Sequence, residues 1–148
     1  MFRRRYPKKE ELELGESWSF SKGRHGSDPL IVRVNRGVAA AIGHPEYSHQ
    51  VGVAVPLRAP DDHGFPGSEE SEELAALEEM LVSRLCDDRQ SIFVAALSTG
   101  GMREFVFYTS DPARTHASLE ELAREVTSHQ VQHIIQPDPR WRVYRRFA

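Results

Sequence analysis

Two runs of eight residues, 91–98 (SIFVAALS) and 102–109 (MREFVFYT), stand on either side of Thr99-Gly100-Gly101. Both are rich in β-branched, aromatic and small apolar residues, which suit a buried strand. The glycines supply the positive φ angles that a tight antiparallel turn requires. No other feature constrains the chain as much, because it fixes a hairpin that the remaining elements must build around. The strand period of two puts Arg103, Phe105 and Phe107 on one face of 102–109, and Glu104, Val106 and Tyr108 on the other.

Each strand of this hairpin is attached to a helix. Upstream, Ser68 is placed to cap a helix whose first turns carry Glu69, Glu70, Glu72 and Glu73, all favoured by the helix dipole. Leu74, Leu77, Leu81 and Leu85 recur at steps of three and four and mark its buried stripe, and the helix should end near Asp87-Asp88. Downstream, Asp111-Pro112 pairs a capping side chain with a proline at the first helical position, ahead of Leu119, Leu122 and Val126. A strand over 47–58, with Val51, Val53 and Val55 on one face, precedes the first helix; another over 131–136 follows the second, closed by Pro137.

From Tyr47 onward the order is therefore β-α-β-β-α-β. This predicts an α+β fold with a ferredoxin-like core, two helices on one face of a mostly antiparallel sheet. A hairpin over 17–24 and 30–35, turning at Gly26 to Pro29, should extend that sheet, and 37–42 should form about one helical turn. The first fifteen residues are charged and poor in apolar groups. They read as a flexible tail (1–15) ahead of a single α+β domain (16–148).

Asp138-Pro139 repeats the cap-and-proline pattern, so 139–147 reads as a short helix with Trp141, Tyr144 and Phe147 in one sector. Arg142, Arg145 and Arg146 then lie opposite. A strand is the alternative, since Trp141, Val143 and Phe147 also share a period-two face. On the helical reading the aromatic side should latch onto the domain, leaving the arginines to water or a partner.

In order along the chain come Trp18-x-Phe20, Asn35-x-Gly37, Val51-x-Val53-x-Val55-Pro56-Leu57, Gly64-x-Pro66 and Leu77-Glu78. Gly100 before Arg103-Glu104-Phe105-x-Phe107-Tyr108 and Asp138-Pro139-x-Trp141-x-x-Tyr144 complete the set. It resembles the bacterial domain-of-unknown-function 695 family over roughly residues 16–147. The resemblance supports a ferredoxin-like fold, because that family is sometimes joined to domains similar to the ribonuclease E activity regulator B family. It implies no activity and assigns no catalytic residues.

The charges are segregated. Residues 1–9 carry five basic groups and no acids, whereas 10–137 hold 10 basic against 21 acidic residues. An acidic body argues against broad nucleic-acid binding, which needs a basic surface. No run approaches the length of a membrane span, and the start of the chain lacks a signal peptide's apolar stretch. The single cysteine, Cys86, permits no internal disulfide, suggests a reducing cytoplasm, and reads as a buried structural thiol.

Catalytic and metal motifs are missing. Asp61-Asp62-His63 reads as a solvated loop, His44 and His49 stand apart from it, and the His129/His133 spacing reads as accidental across a helix–strand break. There is no nucleophile elbow and no glycine-rich phosphate loop. These readings give no catalytic residue, no metal site and no cofactor. The expectation is a non-catalytic cytoplasmic module that binds or regulates another protein. Its candidate contact residues are Glu69, Glu70, Glu72, Glu73, Arg142, Arg145 and Arg146, with Arg103, Glu104 and Tyr108 as a candidate polar surface site. The alternatives are an enzyme using an unrecognised pocket for a small molecule, and an RNA-binding accessory protein using its basic ends.

Overall fold

The computed structural model describes residues 6–148; residues 1–5, including Arg3, Arg4 and Arg5 of the expected basic tail, lie outside the described residues. The fold is α+β. Its strands are β1 (Trp18–His25), β2 (Asp28–Asn35), β3 (His49–Pro56), β4 (Ser91–Thr99), β5 (Met102–Thr109) and β6 (Gln132–Pro137). They form one sheet in the order β1-β2-β4-β5-β3-β6, antiparallel at every step. The glycine hairpin is as expected: Thr99 pairs with Met102 across Gly100 and Gly101, whose φ angles are +57° and +78°. Helix α1 (Ser68–Leu85) joins β3 to β4, and α2 (Pro112–Glu125) joins β5 to β6. Each helix therefore spans one intervening strand.

Both helices pack on the same face. Leu74, Leu77, Leu81 and Leu85 of α1, with Leu119 and Leu122 of α2, meet Val51, Val53, Val55, Phe105 and Phe107. Leu81 is fully enclosed. Leu81→Ala should therefore cost about 3 kcal/mol through the cavity it leaves, read as a lowered midpoint in urea with an unchanged slope.

The opposite face carries a second core. Val34, Ala95, Val106 and Tyr108 of the sheet pack there against Leu12, Val38, Ala41, Tyr47, Trp141 and Tyr144. A register shift between Phe93 and Ala95 turns Val94 and Ala95 to the same side, which brings Ala96 back to the helical face. β4 and β5 are thus buried on both faces, which explains why they read as nearly continuous apolar runs.

Three boundaries differ from the sequence expectation. First, residues 6–15 are packed as a strap across the second core. Leu12 is buried; Tyr6 donates its hydroxyl to the Ile42 carbonyl at 2.8 Å; and the Arg89 guanidinium donates to the carbonyls of Lys9 at 2.9 Å and Leu12 at 2.6 Å. The strap ends at Gly15, whose N–H bonds the Gly37 carbonyl at 3.0 Å. A Cβ on Gly37 would come within 2.4 Å of the Gly15 carbonyl oxygen, so only glycine allows this approach. Second, Gly67 occupies the position before α1, and Ser68 is already helical with no side-chain cap. Third, the last helix, α3 (Arg142–Phe147), begins later than Pro139. Asp138 to Trp141 form a turn instead, and the Asp138 carboxylate accepts from the N–H groups of Arg142 at 2.9 Å and Val143 at 3.0 Å. By contrast, Asp111 caps α2 as expected, accepting from the Arg114 N–H at 3.0 Å.

Trp141 takes a left-handed φ of +56° and is completely buried. Its ring stacks on Tyr108 with centroids 3.9 Å apart, and its Nε1 donates to the Tyr47 carbonyl at 2.9 Å. Among the described residues, no helix is long and apolar enough to cross a membrane.

Candidate functional site

The hairpin β1–β2 projects beyond the sheet area that α1 and α2 cover. A groove of about 630 Å³ lies where the hairpin's helical face meets the flank of α1. Trp18 and Phe93 form its floor, with ring centroids 5.1 Å apart, and Val82 of α1 and Cys86 just after it line it with Leu14 of the strap. The Arg33 guanidinium lies over the Trp18 ring at 5.0 Å and pairs with Glu78, which fixes the floor from the α1 side. Phe20 continues the same face of β1 and is 73% exposed, while the outer edge of β1 has no strand partner among the described residues.

One end of the groove is set by unusual backbone. Asp88 and Arg89 both have positive φ, +51° and +55°, which is costly for a bulky side chain such as arginine. The conformation is held from two directions, because the Tyr47 hydroxyl donates to the Arg89 carbonyl at 2.6 Å while the Arg89 guanidinium grips the strap. Cys86 faces the groove only in part. Burial pushes its thiol up to about 12, so it is not a nucleophile at neutral pH.

The expected acidic contact face is divided by the structure. Glu69 and Glu72 are exposed, and Glu73 pairs with Arg58. Glu70 is no contact residue, being only 5% exposed. Its carboxylate accepts from the N–H groups of Arg58 at 2.6 Å and Ala59 at 3.2 Å, and from His129 Nε2 at 2.6 Å. Burial opposes its ionisation, but these hydrogen bonds prevail and hold the carboxyl below the usual range. The sequence did carry a signal for this: Glu70 stands four residues before Leu74, on the leucine stripe itself.

His129, set aside in the sequence, completes that arrangement, and Ser128 Oγ lies 3.1 Å from its Nδ1. The hydroxyl–imidazole–carboxylate chain resembles a hydrolytic relay, but the His129 side chain is fully enclosed and Glu70 is already committed to two amides. No substrate can reach the imidazole, and the chain serves to tie the loop after α2 and the loop after β3 to α1.

Arg103, Glu104 and Tyr108 do not form one site. Arg103 lies on the helical face and donates to Ser98 Oγ at 2.7 Å, whereas Glu104 is half-buried on the opposite face, where burial raises its pKa. Tyr108 is fully buried. It donates to Asp138 at 2.7 Å and accepts from the Tyr144 N–H at 3.2 Å. Arg142, Arg145 and Arg146 are exposed on α3; the first two line a shallow cavity with Arg140 and Tyr6, from which Arg146 is absent. Of the basic groups near the start of the chain, Lys9 is tied down by Ser110 Oγ at 3.1 Å.

The sequence model of one family, described as "Family of unknown function (DUF695)", matches residues 16–148. No curated protein and no solved structure matches the chain.

Proposed function

The chain belongs to the DUF695 family of unknown function, which supplies no activity, and we propose from its own residues that it is a non-catalytic protein-binding module. The ligand is an extended segment of another protein, laid along β1 with an apolar side chain in the groove. The observation that carries this reading is the open, aromatic-floored groove beside β1, an edge strand with no outer strand partner among the described residues. An added strand obtains affinity from main-chain hydrogen bonds and specificity from a neighbouring pocket.

Charge favours a basic segment. Glu16 and Glu79 border the groove and make no ion pair among the described residues, and exposed Glu72 continues the acidity along α1. Complementary charge of this kind speeds encounter and sets orientation. Within this reading the segment β3-α1-β4-β5-α2-β6 is a ferredoxin-like core, supported by the order β4-β5-β3-β6 and the two helical crossovers, with β1–β2 as the added recognition element. The lone Cys86 fits a cytoplasmic setting. The enclosed His129 and the elevated Cys86 thiol favour binding over catalysis.

The test uses ten-residue synthetic peptides with a central Phe or Leu flanked by lysines, and the same peptides flanked by glutamates. Lysine-flanked peptides should bind and quench Trp18 fluorescence. Ser83→Arg, an exposed α1 position on the groove, should weaken that binding at least tenfold while leaving the melting temperature unchanged. Absence of binding, equal binding of both peptide sets, or indifference to Ser83→Arg would each overturn the reading.

A further inference from the structure

At the far edge of the sheet from the groove, α2 and β6 bring three metal-ligating side chains together. His116 and Glu120 are four residues apart on α2 and so share one face of the helix. His133 stands on β6 opposite Val53, whose side chain belongs to the helical-face core, so its imidazole projects toward α2. His116 Nδ1 and His133 Nε2 are 2.9 Å apart, and the Glu120 carboxylate lies 3.7 Å from His116 Nε2. One ligand atom from each residue lies within 4.8 Å of the others.

We propose that His116, Glu120 and His133 form a binding site for a divalent transition metal of the zinc class. In tetrahedral coordination with bonds of about 2.0–2.2 Å, donor atoms stand roughly 3.3–3.6 Å apart. His116 Nδ1 and His133 Nε2 need part by only about 0.5 Å to reach that spacing, and Glu120, 53% exposed, has the rotamer freedom to swing from the Nε2 edge of His116 to the side that Nδ1 shares with His133. Two imidazoles and one carboxylate select zinc, cobalt or nickel over the oxygen-seeking calcium and magnesium. A cavity of about 520 Å³ bordered by Pro112, Ala113 and Ile134 adjoins the cluster, leaving a fourth coordination position to water or to a ligand from outside. The ion would clasp α2 to the edge strand β6. This inference does not depend on the groove, and the two can fail separately.

The experiment uses tag-free full-length protein stripped with EDTA. Titration with Zn²⁺ by calorimetry should show one saturable equivalent, and Co²⁺ should develop the ligand-field bands of a four-coordinate site. His116→Ala and His133→Ala should each weaken Zn²⁺ affinity at least tenfold. Glu120→Gln should weaken it less and alter the Co²⁺ spectrum, and His49→Ala, a neighbour in the same cavity, should change neither. Because His116 and Glu120 are more than half exposed, their replacement spares the core, and circular dichroism verifies the fold. The proposal is overturned by absence of saturable binding at 100 micromolar metal, or by an equivalent that survives in the His116→Ala/His133→Ala double variant.

Discussion

Trp141→Ala should destabilise the protein by about 3–5 kcal/mol, the range for truncating a buried aromatic. For a chain of this size that is a fall on the order of 10 °C in melting temperature. The indole is wholly enclosed, stacks on Tyr108 with the ring planes 7° apart, and meets the Tyr144 ring edge-on at 5.7 Å. Its loss also leaves the Tyr47 carbonyl without the donor that now reaches it at 2.9 Å. The backbone contributes a second signature. Trp141 sits at φ +56°, where glycine is at ease and other residues are strained by about 1–2 kcal/mol. Trp141→Gly should therefore be no more damaging than Trp141→Ala, although it removes one more carbon. Arg145→Ala, on the exposed side of α3, should stay within about 0.5 kcal/mol of the parent. A melting temperature unmoved by Trp141→Ala would show that the C-terminal helix does not latch the second core.

Glu70→Ala should cost about 3–5 kcal/mol, because it strips the acceptor from the Arg58 and Ala59 amides and from buried His129 together. The pH dependence separates the charge from the shape. Glu70 has a folded-state pKa depressed below its unfolded value, so the stability it confers is present in full at neutral pH. It is lost as pH falls from the ordinary carboxylate range, about 4.3, through the lower folded value. The stability gap between the parent and Glu70→Gln should thus be widest at neutral pH and shrink below about pH 4. Asp138 behaves in the same sense: burial works against its charge, but hydrogen bonds from Val143, Tyr108 and Arg142 hold its carboxyl low. Denaturant titrations of Glu70→Gln and the parent between pH 3 and 7 measure the gap. A gap that stays constant across that window would show that the Glu70 charge adds nothing to stability.

Elements fixed by local chemistry were legible in the sequence. The glycine hairpin, the valine stripe of β3, the Asp111-Pro112 cap and the leucine stripe of α1 each appear where periodicity or turn chemistry puts them. The ordered string from Trp18-x-Phe20 to Tyr144 was sufficient to identify the family. What stayed hidden depends on main-chain atoms or on distant partners. The strap is held largely through the carbonyls of Lys9 and Leu12 and the Gly15–Gly37 amide pair, which leave no mark on composition. The start of α3 was misplaced because the Asp138 carboxylate reaches across a full turn before the helix begins. Of the candidate sites, Glu70 reads in the sequence as one acid among several, and the four-residue spacing of His129 and His133 carries no sign of the partner that His129 takes. The pair His116 and Glu120 stands at helical spacing in the sequence, but His133 joins it only through the β3–β6 pairing.

The strap also separates two kinds of boundary that usually coincide. The family segment begins at residue 16, immediately after the strap. A fragment excised there would retain every strand and helix of the inherited pattern. It would nevertheless lose Leu12 from the second core, leave the guanidinium of Arg89 without its carbonyls, and open the groove on the side that Leu14 closes. The segment the family model matches is therefore shorter than the unit that packs together. The difference falls on the wall of the groove, so a different leading segment on the same sheet and helices would reshape its mouth.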